Sequence, residues 1–386
     1  MPDWLTNRLT NDLADRQRRG LFRSLTVSES AIDFTSNDYL GMARSGTLRN
    51  QLAQAPPDRN GAAGSRLLSG NTALAEAVEA DLARFYRAET ALLFNAGYMA
   101  NVGLLACLPQ PGDTLITDEL IHASLIDGAR LSKAARVRFA HNDLIDLAAK
   151  LRGAQATGGR LFVVVESLYS MDGDEAPLTQ IAALCTDFDA ALIVDEAHSS
   201  GVYGPGGAGL VVARGLQDQA FARIHTFGKA MGVHGAVVVG SAVLRTYLIN
   251  AARSFMYATA LPPHGLLAIQ QAHALVAAEP QRAARLHELI AYFCQKSRLL
   301  APEAAWLVST SPIQGVIVPG NEAVRQVAGA VQRVGYDVRP IVSPTVATGQ
   351  ERIRICLHSY NTEAEIDGLL TALAEAIYTT KTVAFL

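Results

Sequence analysis

Several short apolar runs in this sequence end in residues able to do chemistry. Residues 191–194, Ala-Leu-Ile-Val, deliver Asp195, with Glu196 and His198 close behind. A carboxylate so placed can hold a ligand's protonated ring nitrogen, and a histidine three positions on can hydrogen-bond a neighbouring oxygen. The run His225-Thr226-Phe227-Gly228-Lys229 carries a lysine to the same level. Desolvated there, its amine loses a proton readily and can form a Schiff base; in isolation, such a lysine is most often a solvated surface charge. Residues 91–94 lead into Asn95-Ala96-Gly97-Tyr98, where glycine lets the N–H groups of a helix start approach an anion such as phosphate. An ordinary strand-to-helix turn has the same appearance. Residues 161–165 end in the polar loop 166–174, with a turn at Asp172-Gly173.

Other motifs fail on their own terms. Asp195-Glu196-Ala197-His198 spells a helicase box, but no G-x-x-x-x-G-K-[ST] loop exists to hold a triphosphate. Gly204-x-Gly206-x-x-Gly209 matches a dinucleotide fingerprint, yet contains Pro205 and reads as a flexible glycine loop. His287-Glu288 begins a zinc motif whose second histidine is replaced by Ala291, so no metal site is expected.

The surrounding sequence consists of short apolar runs alternating with helical patterns. The runs are 91–94, 114–117, 161–165, 190–194, 224–227 and 235–240. Runs apolar at nearly every position signal parallel strands covered on both faces, hence a doubly wound α/β domain with ligands beyond the carboxyl ends of its strands. Residues 5–25 read as a basic amphipathic helix, and 264–300 as one long alanine-rich helix. Strand patterns at 315–318, 336–339 and 352–357, with helices at 322–334 and 362–376, indicate a smaller α+β domain. The expected division is an N-terminal arm (1–44), a large domain (45–275) and a small C-terminal domain (276–386).

Composition narrows the partners. With 33 basic and 36 acidic residues in 386, the chain has no positive excess to bind a phosphate polymer, so nucleic acid is not expected. No run is long and apolar enough to span a membrane, the N-terminus has no apolar leader, and the four cysteines form no C-x-x-C pair. A reducing cytoplasm fits.

The order of the pieces is more specific than any one of them. Asn37-Asp38-Tyr39-Leu40-Gly41, Gly64-Ser65-Arg66-Leu67-Leu68-Ser69-Gly70, Asn95-Ala96-Gly97-Tyr98, His122-Ala123-Ser124-Leu125, the 169–174 loop, Asp195-Glu196-Ala197-His198, Thr226-Phe227-Gly228-Lys229 and Thr259-Ala260-Leu261-Pro262-Pro263 together resemble the α-oxoamine synthases. These are fold-type I pyridoxal-phosphate transferases, and the resemblance covers nearly the whole chain. It implies a mostly parallel seven-stranded sheet in the large domain and a homodimer. It also implies decarboxylative condensation of an amino acid with an acyl thioester. Among family members the chain looks most like the biotin-pathway branch, which joins L-alanine to a pimeloyl group on coenzyme A or a carrier protein. By resemblance, Lys229 holds the cofactor and moves the Cα proton, Asp195 partners the pyridine nitrogen, His122 stacks on the ring and His198 donates to the phenolic oxygen. Ser170, Thr226, Gly97 and Tyr98 are further cofactor contacts, and Thr259 resembles a phosphate contact from a partner subunit. Arg354 matches the clamp on the amino-acid carboxylate, Asn37 lines the site, and Arg23 lies near where an arginine meets the distal acyl carboxylate. Alternatives are a sister enzyme using glycine with acetyl-CoA, serine with palmitoyl-CoA or an autoinducer precursor, and a non-catalytic binding protein of the same fold.

Overall fold

The computed structural model describes residues 2–25, 31–54, 57 and 59–383. At its centre are β1 (Thr90–Phe94), β2 (Thr114–Asp118), β3 (Ala135–Phe139), β4 (Leu161–Glu166), β5 (Ala190–Asp195), β6 (Ala220–Thr226) and β7 (Ala236–Gly240). They form one seven-stranded sheet in the order β1-β7-β6-β5-β4-β2-β3. The pairs from β6 through β3 are parallel, whereas β7 runs antiparallel to both β6 and β1. Every residue of β4 is buried, as an unbroken apolar run between two helical layers requires. The strand that the apolar pattern missed is β3, Ala-Arg-Val-Arg-Phe, whose first four residues are partly or fully exposed. It forms the sheet edge, where arginines protect unpaired backbone from other strands.

The long helix expected over 264–300 is two helices, Pro263–Ala278 and Gln281–Leu300. Pro280 breaks it, having no N–H and a ring that clashes with the preceding turn. Beyond it, the antiparallel strands Ala305–Trp306, Ile313–Ile317, Arg339–Ile341 and Arg352–Cys356 form a second sheet. Helices Asn321–Arg333 and Glu363–Val383 complete this part.

The N-terminal helix, Asp3–Arg18, buries none of its residues and ends short of the expected residue 25. Gly20 there takes a left-handed φ of 64°, and its carbonyl accepts a hydrogen bond from Arg325. Ile32–Asp33 then pairs in parallel with Tyr336–Asp337, so residues 32–41 run against the C-terminal part. No helix among the described residues is long and apolar enough to cross a membrane.

Candidate active site

The carboxyl ends of β4, β5 and β6 lie side by side and aim their terminal residues at one place. Glu166 and Asp195 are register partners there, and both are buried. Asp195 Oδ1 accepts the Ala197 N–H at 2.9 Å, and Oδ2 accepts from Asn101 Nδ2 at 2.7 Å. Glu166 accepts the backbone N–H of His122, but burial and the charge of Asp195 push its carboxyl up to about 8.

Lys229 follows the end of β6 and is half-buried. Burial drives its proton off against the pull of Asp195 and Glu166, bringing the ammonium down to about 8. Its Nζ lies 2.7 Å from His198 Nε2, and His198 Nδ1 lies 2.7 Å from the Tyr39 hydroxyl. Burial and the Lys229 charge hold the His198 imidazole well below its usual range, so it is neutral. One tautomer satisfies every contact: Tyr39 donates to Asn37 Oδ1 at 3.0 Å and accepts from Nδ1–H, leaving Nε2 to accept from Lys229.

Helix Gly97–Cys107 begins directly after β1, and its N-cap residue, Ala96, offers no side-chain cap to the first N–H groups. Gly97 is packed against Thr226: a Cβ there would sit 3.2 Å from the Thr226 hydroxyl. The start of this helix thus presents backbone donors and a hydroxyl around one small space, the arrangement that takes a phosphate. Tyr98 is half exposed, and its hydroxyl donates to Asp127 Oδ2 at 2.6 Å.

Arg354 enters from the second sheet. Its Nε donates to the Ser170 carbonyl at 2.8 Å, Nη2 to Asn37 Oδ1 at 3.0 Å and Nη1 to Cys356 Sγ at 3.0 Å. These bonds fix the guanidinium plane and leave it donor capacity for a carboxylate. Arg352, two residues earlier, is buried against Asp172 and Gln350 and serves the scaffold.

Asn37, Lys229, His198 and Arg354 therefore belong to one connected network. Asp195 joins His122 through Asn101 and Ser124, and Ser170 is buried beside Arg354. His122 itself is exposed at the start of helix Ala123–Leu131, with its ring available to a planar ligand. Gly97, Tyr98 and Thr226 gather instead at the start of helix Gly97–Cys107, and two expected residues lie outside both groups. Arg23 is exposed on the segment after the N-terminal helix. Thr259 is exposed too, bridged to Ser65, with its carbonyl held by Asn95 Nδ2 at 2.8 Å. Sequence reasoning did not assign Tyr39, Glu166, Asn101 or Ser124 to the site. Glu166 carried a signal, since it ends an apolar strand as Asp195 does; the others are reached only through tertiary contacts.

Comparison with known proteins gives this geometry its context. The family model for aminotransferase class I and II matches residues 29–373. An 8-amino-7-oxononanoate synthase of Emericella nidulans is 41% identical over 97% of this chain and 96% of its own. One from Marinobacter nauticus is 39% identical over 95% of each. Among solved structures, serine palmitoyltransferase from S. paucimobilis with bound PLP and myriocin has a TM-score of 0.87 at 26% identity, covering 97% of this chain and 98% of that one. An 8-amino-7-oxononanoate synthase from Francisella tularensis has a TM-score of 0.76 at 28% identity, covering 93% and 100%. The shared length, the identity and the common fold lead to one conclusion: the chain belongs to the aminotransferase class I and II family, in its α-oxoamine synthase branch.

Proposed function

We propose that this chain is a cytoplasmic, homodimeric acyltransferase using pyridoxal phosphate. It joins L-alanine to a pimeloyl thioester, with loss of carbon dioxide and the thiol, to give 8-amino-7-oxononanoate for biotin synthesis. The observation that carries this reading is the meeting of Lys229, Asp195 and Arg354 at one sheet edge. It occurs in a chain alike along nearly its whole length to enzymes named for that product.

The residues present fit the cofactor. Gly97 leaves beside Thr226 a cradle that a Cβ would fill, and the uncapped helix start and the Tyr98 N–H suit the phosphate. Asp195, buried and acceptor-only, suits a protonated ring nitrogen, and the exposed His122 ring suits one face of an aromatic group. Ser170 completes the set near Arg354. Pyridoxal phosphate, when bound, supplies a carbonyl for amines and a ring that accepts electron density from the adjoining carbon.

The chain's own groups then divide the work. Lys229 Nζ, with its ammonium at about 8, is in part neutral at physiological pH; it anchors the cofactor and, when released, accepts and returns the substrate's Cα proton. Neutral His198, its Nδ1–H held by Tyr39, accepts at Nε2 beside Lys229 without adding a charge there. Arg354, its plane fixed by Ser170 and Asn37, clamps the amino-acid carboxylate. We assign Arg23 to the distal carboxylate of the acyl chain and Thr259 to the phosphate of a second copy; both are exposed and available for such contacts.

The likeness to serine palmitoyltransferase in fold supports a second reading, the same chemistry with serine and a long acyl chain. Purified protein given pyridoxal phosphate, L-alanine and pimeloyl-CoA is expected to form 8-amino-7-oxononanoate, detected by mass spectrometry. Product from L-serine and palmitoyl-CoA alone would move the assignment to the second reading.

A further inference from the structure

Asn101 is buried on helix Gly97–Cys107, four residues past the glycine that opens the phosphate cradle and so about 6 Å along the axis. Its Nδ2 donates to Asp195 Oδ2 at 2.7 Å and to Ser124 Oγ at 2.9 Å. The Ser124 hydroxyl lies 2.7 Å from His122 Nδ1, which also accepts the Ser124 backbone N–H at 3.2 Å. Helix Ala123–Leu131 comes close enough for this because Gly128 faces the Asn101 carbonyl, where a Cβ would meet that oxygen at 2.9 Å.

The orientation of the amide follows from its neighbours. An ionised Asp195 offers only acceptors, so the amide nitrogen must face it. Asn101 Oδ1 is thereby left buried without a hydrogen-bond partner, a costly arrangement that the reverse orientation would exchange for two opposed oxygens. With one Asn101 proton on Asp195 and the other on Ser124 Oγ, the Ser124 proton is directed at His122 Nδ1. His122 then carries its remaining proton on Nε2.

We propose that Asn101 is a positioning residue that couples the Asp195 carboxylate to the tautomer of His122 through Ser124. The inference rests on the cofactor reading above and goes beyond it: one amide sets both the group at the ring nitrogen and the group on the ring face. Helix Gly97–Cys107 thus aligns three contacts to one ligand, its own first turn, Asp195 and His122.

The test compares wild type with Asn101→Leu, which keeps bulk and removes both donors. Two quantities are read: pyridoxal phosphate dissociation, and the pH midpoint of the visible absorption band of the bound cofactor. Loss of a hydrogen bond to a charged group is expected to weaken pyridoxal phosphate binding about tenfold or more. Loss of a donor to Asp195 loosens the carboxylate's placement against the ring nitrogen and leaves that nitrogen less cationic, so the midpoint should rise by roughly half a unit. A merely structural defect would weaken binding without moving the midpoint. Ser124→Ala removes only the hydroxyl and carries the same test should Asn101→Leu not fold. It should move the midpoint by removing the hydroxyl proton that fixes the His122 tautomer on the ring face, while binding stays within about threefold of wild type because the Asn101 bond to Asp195 survives. A midpoint unmoved in both variants, with the wild-type band present, overturns this inference alone. Absence of the band in wild type overturns the cofactor reading and this inference with it.

Discussion

Lys229 sits among groups that act on its proton in opposite directions, and burial prevails. A surface lysine would be almost wholly protonated at neutral pH; this one, at about 8, keeps a useful neutral fraction. His198 accepts a hydrogen bond from it while remaining uncharged, so no further positive charge stands beside it. Arg354 shows the other use of fixed geometry. Its contacts with Asn37 and Ser170 exploit a planar fork that lysine lacks. Arg354→Lys is therefore expected to raise KM for the amino acid about tenfold or more, with a smaller change in kcat, in steady-state kinetics. An unchanged KM would remove Arg354 from the carboxylate site.

At the scale of elements, the 166–174 loop is held from both sides. Asp172 pairs with Arg352, the Gly173 carbonyl accepts from Ser309 Oγ at 2.8 Å, and Asp174 accepts from His141 Nε2 at 2.8 Å. His141 also reaches Asp118 at the end of β2, at 3.0 Å. Burial opposes a charge on His141, but hydrogen bonds and attraction from Asp118 and Asp174 overcome it and push the imidazole up to about 10. A group whose folded pKa is raised stabilises fully below its unfolded value near 6.5, and that contribution is lost as pH rises through about 10. His141→Asn should accordingly lower stability by about 3 kcal/mol near pH 6. In thermal melts, the gap to wild type should narrow as pH rises toward 10. A gap constant with pH would mean that the pair carries no charge.

What is legible in the sequence follows from how each strand is covered. Strands β4 and β5 announced themselves because burial on both faces demands apolar residues, and the sheet edge they share delivered Asp195 in plain view. By contrast, β3 was hidden by Arg136 and Arg138, which an edge strand tolerates. Pro280 lies within the expected long helix, where alanines on either side favour helix, and it divides that pattern into two helices. Asn101 and Asp195 stand 94 residues apart, and Tyr39 and His198 stand 159 apart. No local pattern encodes such pairings; packing creates them. Glu196 is a different case: adjacent to Asp195 in sequence, it points instead to the Leu210 and Val211 N–H groups, at 2.8 and 2.9 Å. It fastens the glycine loop, where a side chain on Gly209 would strike its carboxylate.

Exposed apolar side chains stand on the segments around the start of helix Gly97–Cys107. Leu68, Tyr98 and Tyr257 are 85%, 49% and 70% exposed. The Ser65–Thr259 bridge and the Asn95–Thr259 hydrogen bond join their segments. Such surface suits a second copy of the chain. Sedimentation should find a species of twice 41.1 kDa, and Leu68→Glu should shift it toward the monomer while weakening cofactor binding. A wild-type monomer that binds cofactor tightly would contradict this arrangement.

The role of Lys229 is tested most directly by the visible spectrum of the cofactor-free protein after addition of pyridoxal phosphate, wild type beside Lys229→Ala. A band is expected in wild type alone, forming faster as pH rises and levelling above about 8, where the Lys229 amine is mostly neutral. An equal band in Lys229→Ala, or none in wild type, would contradict it.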